Sequence, residues 1–101
     1  PQPRWPPIVV ERRPPLSVVV PSRNRTEMLS ICLAALRADL DVDDEIVVAD
    51  SASYDAAGVA RIAFRYGAKL VRSEWAGASR ARNAGWRRAR HELVGFVERP
   101  A

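Results

Sequence analysis

Pro21-Ser22-Arg23-Asn24-Arg25 sets a hydroxyl, an amide and two guanidinium groups side by side, between an apolar run and a helix-like segment. Free N–H groups at a helix start attract anions, and hydroxyl and amide groups add hydrogen bonds. The same stretch also suits a helix-capping loop with solvated arginines. A second stretch, Ala49-Asp50-Ser51-Ala52-Ser53-Tyr54-Asp55, closes another apolar run. A carboxylate at a strand's carboxyl end, as Asp50 would be, can accept hydrogen bonds from a base or a ribose hydroxyl. The competing reading has Asp50 and Ser53 shaping a turn while Asp55 caps the next helix. The third stretch is Gly77-Ala78-Ser79-Arg80-Ala81-Arg82-Asn83-Ala84-Gly85. Glycine ahead of a helix lets the backbone approach a phosphate closely. Arg80 and Arg82 offer charge-assisted bonds, and Asn83 suits a helix poorly unless its amide has a partner. The alternative is an arginine face turned to water, which is how Arg87, Arg88 and Arg90 are read.

Other chemistries lack their residues. There is no Walker-type lysine loop, no G-x-G-x-x-G and no G-x-S-x-G. The single cysteine, Cys32, excludes an internal disulfide and a cysteine-based zinc site. It lies on an apolar helix face and reads as an inert core thiol. The single histidine, His91, excludes multi-histidine metal sites. It stands beside Glu92 at the start of the last apolar run, away from the three stretches, and reads as a surface turn residue.

The chain has 101 residues, 48% hydrophobic and 28% charged, which suits one small domain with one core. No stretch approaches the ~18–20 apolar residues of a membrane span, and there is no signal-peptide pattern. The net charge is +4, carried by arginine with Lys69 as the one lysine. Arginine forks pair well with phosphate. The charge therefore admits a nucleotide, a nucleic acid or an anionic membrane surface without choosing among them. The chain starts at Pro1 and stops at Ala101 just after an apolar run, so both ends read as cut.

The elements that must position these stretches follow from periodicity. Residues 1–15 hold six of the eight prolines and read as an extended leader or linker, with Ile8-Val9-Val10 as an optional edge strand and Trp5 packed on the domain surface. Residues 16–101 form the domain. Four short apolar runs read as buried parallel strands: Leu16 to Val20, closed by Pro21; Glu45 to Asp50; Lys69 to Arg72; and Glu92 to Val97. Three helices fall between them. The first covers about Thr26 to Ala38, with Leu29, Cys32, Leu33 and Leu36 on one face and Asn24 with Glu27 as a capping box. The second covers about Ala56 to Tyr66, with Val59, Ile62, Ala63 and Tyr66 inward and Gly67 just past its end. The third covers about Ala78 to Arg90, and its small inner face of Ala78, Ala81, Gly85 and Ala89 allows close packing on a sheet. Strand–helix alternation predicts an α/β fold: a Rossmann-like three-layer parallel sheet of about four strands and three helices. Ligands on such sheets bind beyond the strand carboxyl ends, where all three stretches fall.

Taken in order, four motifs resemble the nucleotide-sugar half of family 2 glycosyltransferases, that is, the N-terminal half of a GT-A fold. Leu16-Ser-Val-Val-Val-Pro-Ser-Arg-Asn-Arg25 looks like the family's first strand and P-x-x-N-R loop. Glu45-Ile-Val-Val-Ala-Asp-Ser-Ala-Ser-Tyr-Asp55 is similar to its strand ending in D-D-G-S-x-D or D-N-A-S-x-D. Gly77-Ala-Ser-Arg-Ala-Arg-Asn-Ala-Gly85 resembles its G-x-x-x-A-R-N-x-G helix start, and His91-Glu-Leu-Val-Gly-Phe-Val97 the strand leading to its metal motif. The likeness covers about residues 16 to 98. It implies that Pro21, Ser22, Arg23 and Asn24 line a nucleotide pocket. Arg23 stands where the family often has a tyrosine beside the base. Asp50 would sit near base and ribose, with Ser51 where many members carry a second Asp or Asn. Gly77, Arg80 and Asn83 would close over diphosphate and ribose.

The resemblance also implies a nucleotide diphosphate sugar as partner, a UDP-sugar above all, with inverting transfer to an acceptor hydroxyl and a divalent cation, Mn²⁺ or Mg²⁺. Where the family has D-x-D, this chain reads Glu98-Arg99-Pro100-Ala101, leaving Glu98 as one hard oxygen ligand. The acceptor site and catalytic base would follow this point, so the chain alone is expected to lack full transfer activity. The expected location is cytoplasmic or peripheral to the inner face of a membrane, and the fourth strand is expected to favour self-association. Two readings compete. One is a non-enzymatic nucleotide-binding or protein-interaction module. The other is a basic nucleic-acid binder, disfavoured because the arginines mix with acids and Trp75 and Trp86 form no stacking pattern.

Overall fold

The computed structural model describes residues 13–74 and 77–97. Most of residues 1–15, including Trp5 and Ile8-Val9-Val10, lies outside these residues, as do Trp75 and Glu98 to Ala101. The elements run β1 (Leu16–Ser22), α1 (Thr26–Asp39), β2 (Glu45–Ser51), α2 (Ala56–Arg65), β3 (Lys69–Ser73), α3 (Ala78–Arg88) and β4 (Leu93–Phe96). All pairings are parallel and the sheet order is β3-β2-β1-β4. The chain steps from β1 to β2 to β3, and α3 then returns it to the far side of β1. This is the three-layer Rossmann-like α/β arrangement that the alternation predicts. Among the described residues no helix is long and apolar enough to cross a membrane.

Strand alternation divides the core into two layers. Val18, Val20, Ile46 and Val48 meet Leu29 and Leu33 of α1 and Val59 and Ala63 of α2. Val19, Val47 and Ala49 point the other way and meet Ala81 of α3. β1 and β2 are the strands buried on both faces, whereas β3 and β4 are edges and only half-buried along their length. Reading all four runs as equally buried therefore overstates the last two: apolarity fits an edge strand as well as a central one.

Three local expectations change. β1 runs through Pro21 to Ser22 rather than closing before the proline. Val19 O accepts from Val97 N, so Val19 turns its polar groups toward β4, and Pro21, two residues on, faces the same side. β4 ends at Phe96, level with Val19, so the N–H that proline lacks is not needed by the β1–β2 ladder. The Asn24–Glu27 capping box does not form: the N-cap of α1 is Arg25, with no side-chain bond, and Asn24 is engaged elsewhere. α3 ends at Arg88 because Ala89 is extended and the Arg90 N–H goes to Glu45 Oε1 at 2.7 Å. The other two helix marks hold. Asp55 caps α2 by accepting from Gly58 N at 2.9 Å, and Gly67 takes φ +65 past its end.

The amino edge of the sheet is fastened by two carboxylates. Asp44, buried at 4% exposure, receives the Arg13 guanidinium and the N–H groups of Leu16 and Asp41. The Arg13 bond holds its carboxyl far below the usual range; burial opposes this, and the two N–H groups reinforce it. Glu45 is pushed up by burial, yet bonds from Arg90 N, Lys69 and Ser17 leave it below its ordinary value. His91 belongs to this edge, its N–H on Ser17 Oγ and its ring on Asp43 O at 2.8 Å. Cys32 packs against the α1–α2 core, and burial pushes its thiol up, away from the reactive thiolate.

Two predictions follow from packing and charge. A Cβ on Gly85 would lie 2.6 Å from Val19 Cγ1 and 3.2 Å from Ala49 Cβ. Gly85→Val should lower stability in urea unfolding by about 1–3 kcal/mol, despite valine's better helix propensity; an unchanged midpoint would contradict the close approach. Because the Asp44 and Glu45 carboxyls are lowered on folding, their stabilisation is complete above about pH 5 and is lost progressively as pH falls through their ordinary values toward the lowered ones. Asp44→Asn should reduce stability near neutral pH and flatten the acid limb, and equally steep limbs in both proteins would refute that.

Candidate functional site

At the carboxyl edge, register sets the polar groups. Ser22, Asp50 and Arg72 are lateral partners across β1, β2 and β3. All three fall on the same side of the sheet as Val20, Val48 and Leu70. Asp50 is fully buried, and its carboxylate is surrounded by donors. Oδ1 accepts the Ser53 hydroxyl, and Oδ2 accepts Ser53 N at 3.1 Å and Arg72 Nη1 at 2.8 Å. Arg72 Nη2 also donates to Ser53 O at 3.0 Å. The guanidinium thus spans both ends of the turn from Asp50 to Ser53.

The turn then fastens its neighbours. Ser53 Oγ accepts Asn24 N at 2.8 Å, and Asn24 Oδ1 accepts Tyr54 N at 2.8 Å. This exchange locks the β1–α1 loop to the β2–α2 loop, with Asn24 at φ +52, a conformation asparagine tolerates well. Ala52 adopts φ +51, which costs an alanine roughly 1–2 kcal/mol. Its N–H bonds to Ser73 O at 2.8 Å, so neighbouring bonds hold the strained residue in place. On the opposite face of the sheet, Ser51 Oγ accepts Gly77 N at 2.9 Å and fixes the start of α3. Gly77 has φ +148, a backbone region that favours glycine.

The candidate residues therefore divide. Asp50 and Asn24 belong to one hydrogen-bonded assembly through Ser53, and Ser51 and Gly77 bond each other on the opposite face of the sheet. Pro21 and Ser22 are buried at the end of β1. Arg23, Arg80 and Asn83 are exposed around the assembly, and none of them takes part in it. Ser22 Oγ is buried and has no hydrogen-bond partner among the described residues. It lines a small pocket of about 10 Å³ with Arg23, Arg25, Met28 and Cys32, room for about one water or one polar atom. Glu98, the candidate metal ligand, lies outside the described residues. Among the described residues no group of three or more His, Cys, Asp or Glu could hold a metal ion. The larger concavities lie elsewhere. One of about 440 Å³ opens at the amino edge between Arg13, Pro15 and Asp41 to Asp44, where Arg13 is already paired with Asp41 and Asp44.

Sequence reasoning missed Arg72. It reads there as the last residue of an apolar strand, and its partner is visible only once β2 and β3 are placed in register. The available signal was a lone cation at the carboxyl end of a strand neighbouring one that ends in an acid. Chemically, the edge offers a rigid backbone, a free buried hydroxyl and exposed arginines, which suits holding an anionic polar ligand better than transferring protons.

Comparison with known proteins agrees with the fold. Glucosyl-3-phosphoglycerate synthase from Mycobacterium tuberculosis, solved with Mn²⁺, uridine diphosphate and glucosyl-3-phosphoglycerate, superposes with a TM-score of 0.69 at 22% identity. The match covers 83% of this chain and 33% of that one, and at such identity it is a likeness of fold. Mannosyl-3-phosphoglycerate synthase from Rubrobacter xylanophilus aligns at 31% identity and a TM-score of 0.46, over 58% of this chain and 19% of its own. This chain thus spans about a third of the first of these proteins. No curated protein matches it significantly. Residues 17–98 match the glycosyl transferase family 2 pattern, which takes in all three helices and, but for Leu16, all four strands, and the chain belongs to that family.

Proposed function

We propose that this chain is the donor-binding half of a glycosyltransferase and takes a nucleotide diphosphate sugar, a UDP-sugar above all. The observation that carries the reading is the joining of the β1–α1 and β2–α2 loops around the buried Asp50 carboxylate, with Ser51 fixing the start of α3 on the other face, at the carboxyl edge of a family 2 sheet. The uridine diphosphate held by the mycobacterial synthase of the same fold supports that choice of nucleotide. Pro21, Ser22, Arg23 and Asn24 would line the nucleotide pocket, with Ser22 Oγ free to bond one ligand atom. Asp50 and Ser51 would shape the base and ribose side, chiefly by holding the loops. Gly77, Arg80 and Asn83 would face diphosphate and ribose at the start of α3, where the helix dipole and the arginine both favour negative charge.

Inverting transfer to an acceptor hydroxyl would be the work of the whole enzyme. The described residues do not supply a metal-binding set and Glu98 lies outside them, so no step is assigned to a cation, although the mycobacterial synthase of the same fold holds Mn²⁺. Among the described residues no strand pairs with the outer edge of β4, and Leu93 and Phe96 are exposed there. Isolated, the chain should self-associate there, read as a concentration-dependent rise in mass by sedimentation, and a monomer at high concentration would refute it.

The site reading is tested by amide-resolved NMR titration with UDP. Shifts should centre on Ser22, Asn24, Asp50 and residues 77–83, and a repeat with Mg²⁺ and with a chelator reads whether a divalent cation contributes. A folded chain that shows no shifts at high UDP would favour the non-enzymatic interaction module instead.

A further inference from the structure

We propose that Arg72 is the positioning residue of the nucleotide site: it braces the Asp50–Ser53 turn and through it sets the loop that carries Asn24. The proposal rests on the nucleotide-binding reading for its ligand, and on geometry for the brace itself. Arg72 and Asp50 are register partners at adjacent strand ends. One nitrogen of the guanidinium meets the Asp50 carboxylate at 2.8 Å, and the other meets the Ser53 carbonyl at 3.0 Å. The planar fork is what spans the two acceptors; a lysine ammonium carries the same charge on one nitrogen and has no such span.

The braced turn is also the strained one. Ala52, at φ +51, stands between the two points that Arg72 grips. Strained backbone persists where its surroundings over-determine it, and such places cluster at binding sites. The turn's effect passes outward along a short chain of bonds. Ser53 Oγ, anchored on Asp50, accepts the Asn24 N–H, and the Asn24 side chain accepts the Tyr54 N–H. Arg72 therefore acts two bonds away from the residues that would face a nucleotide. Its side chain is 36% exposed, so losing the brace would leave Asp50 buried while the turn around it loosened.

Arg72→Lys tests this, because it keeps the charge beside Asp50 and removes the fork. The variant should stay folded, with a urea midpoint near the parent's, and bind UDP roughly tenfold more weakly. Amide exchange at Ser53, Asn24 and Tyr54 should quicken by about the same factor while the β1 and β2 interior amides stay protected. Parental UDP affinity together with unchanged exchange at those amides would overturn the proposal. Faster exchange throughout β1 and β2 with a lowered midpoint would also overturn it, by showing a general structural role. If Arg72→Lys does not fold, Ser53→Ala removes the link to Asn24 with Arg72 intact and should weaken UDP binding in the same direction; parental affinity there refutes the route. Should the parent itself not bind UDP, the nucleotide reading fails, and the exchange data still decide whether Arg72 braces the turn.

Discussion

A carboxylate shut away from water must find its hydrogen bonds inside the fold, and Asp50 finds them within its own turn and the adjoining strand. Leaving a buried charge unpaired typically costs about 3–5 kcal/mol, several times the net contribution of an ordinary hydrogen bond. That difference decides the local structure. The turn from Asp50 to Ser53 closes on the carboxylate, Arg72 is drawn across from β3, and Ala52 accepts a strained conformation between them. Because Ser53 then has an oxygen to offer Asn24, the β1–α1 loop takes its shape from a residue on the neighbouring strand. The carboxyl edge is thus organised from β2 outward.

The opposite edge uses the same physics for a different end. Asp44 and Glu45 collect donors from Arg13, Leu16, Asp41, Ser17, Lys69 and Arg90. Those contacts tie the chain before β1, the start of β3 and the end of α3 to the start of β2. The two carboxylates there are matched by these donors, while Arg37 Nε on the same edge is buried without a hydrogen-bond partner among the described residues. At the carboxyl edge the match is incomplete: a buried hydroxyl has no partner, and exposed arginines surround a satisfied core. The paired carboxylates at the amino edge hold the fold, whereas the buried hydroxyl and the exposed arginines at the carboxyl edge are donors that a ligand could use.

Much of this was legible from residue types. The alternation of β-branched runs with helical faces implied a parallel sheet, and the division of Val18, Val19 and Val20 between opposite layers is the ordinary alternation of a strand. The small face of α3 foretold the contact of Gly85 with Val19. Strand order was the missing quantity. Without knowing that β3 lies beside β2, Arg72 has no reason to meet Asp50, and β3 and β4 cannot be told from central strands. Pro21 misled for a related reason, since whether a missing donor matters depends on which neighbour it faces. Asn24 misled because a capping box and a loop-to-loop bond use the same side chain, and only tertiary placement selects between them.

The position of α3 bears most directly on what the carboxyl edge can do. The helix is held at its start by Gly77 N on Ser51 Oγ, in its middle by the contact of Gly85 with Val19 and Ala49, and at its end by Lys69 Nζ on Arg88 O. All three ties lead to the sheet, so the helix axis has little freedom. Arg80 stands one turn from the first tie and Asn83 one turn further, both exposed. An arriving ligand would meet a backbone already in place and long side chains still free to adjust. Fixing the backbone in advance lowers the ordering cost of binding. The remaining cost falls on the arginines, whose side chains give up rotamer freedom when they close on an anion. Affinity at this edge should therefore depend more on the loops held by Asp50 than on the number of arginines near it. A surface binder of nucleic acid would show the reverse, since its affinity scales with the phosphates its cations neutralise.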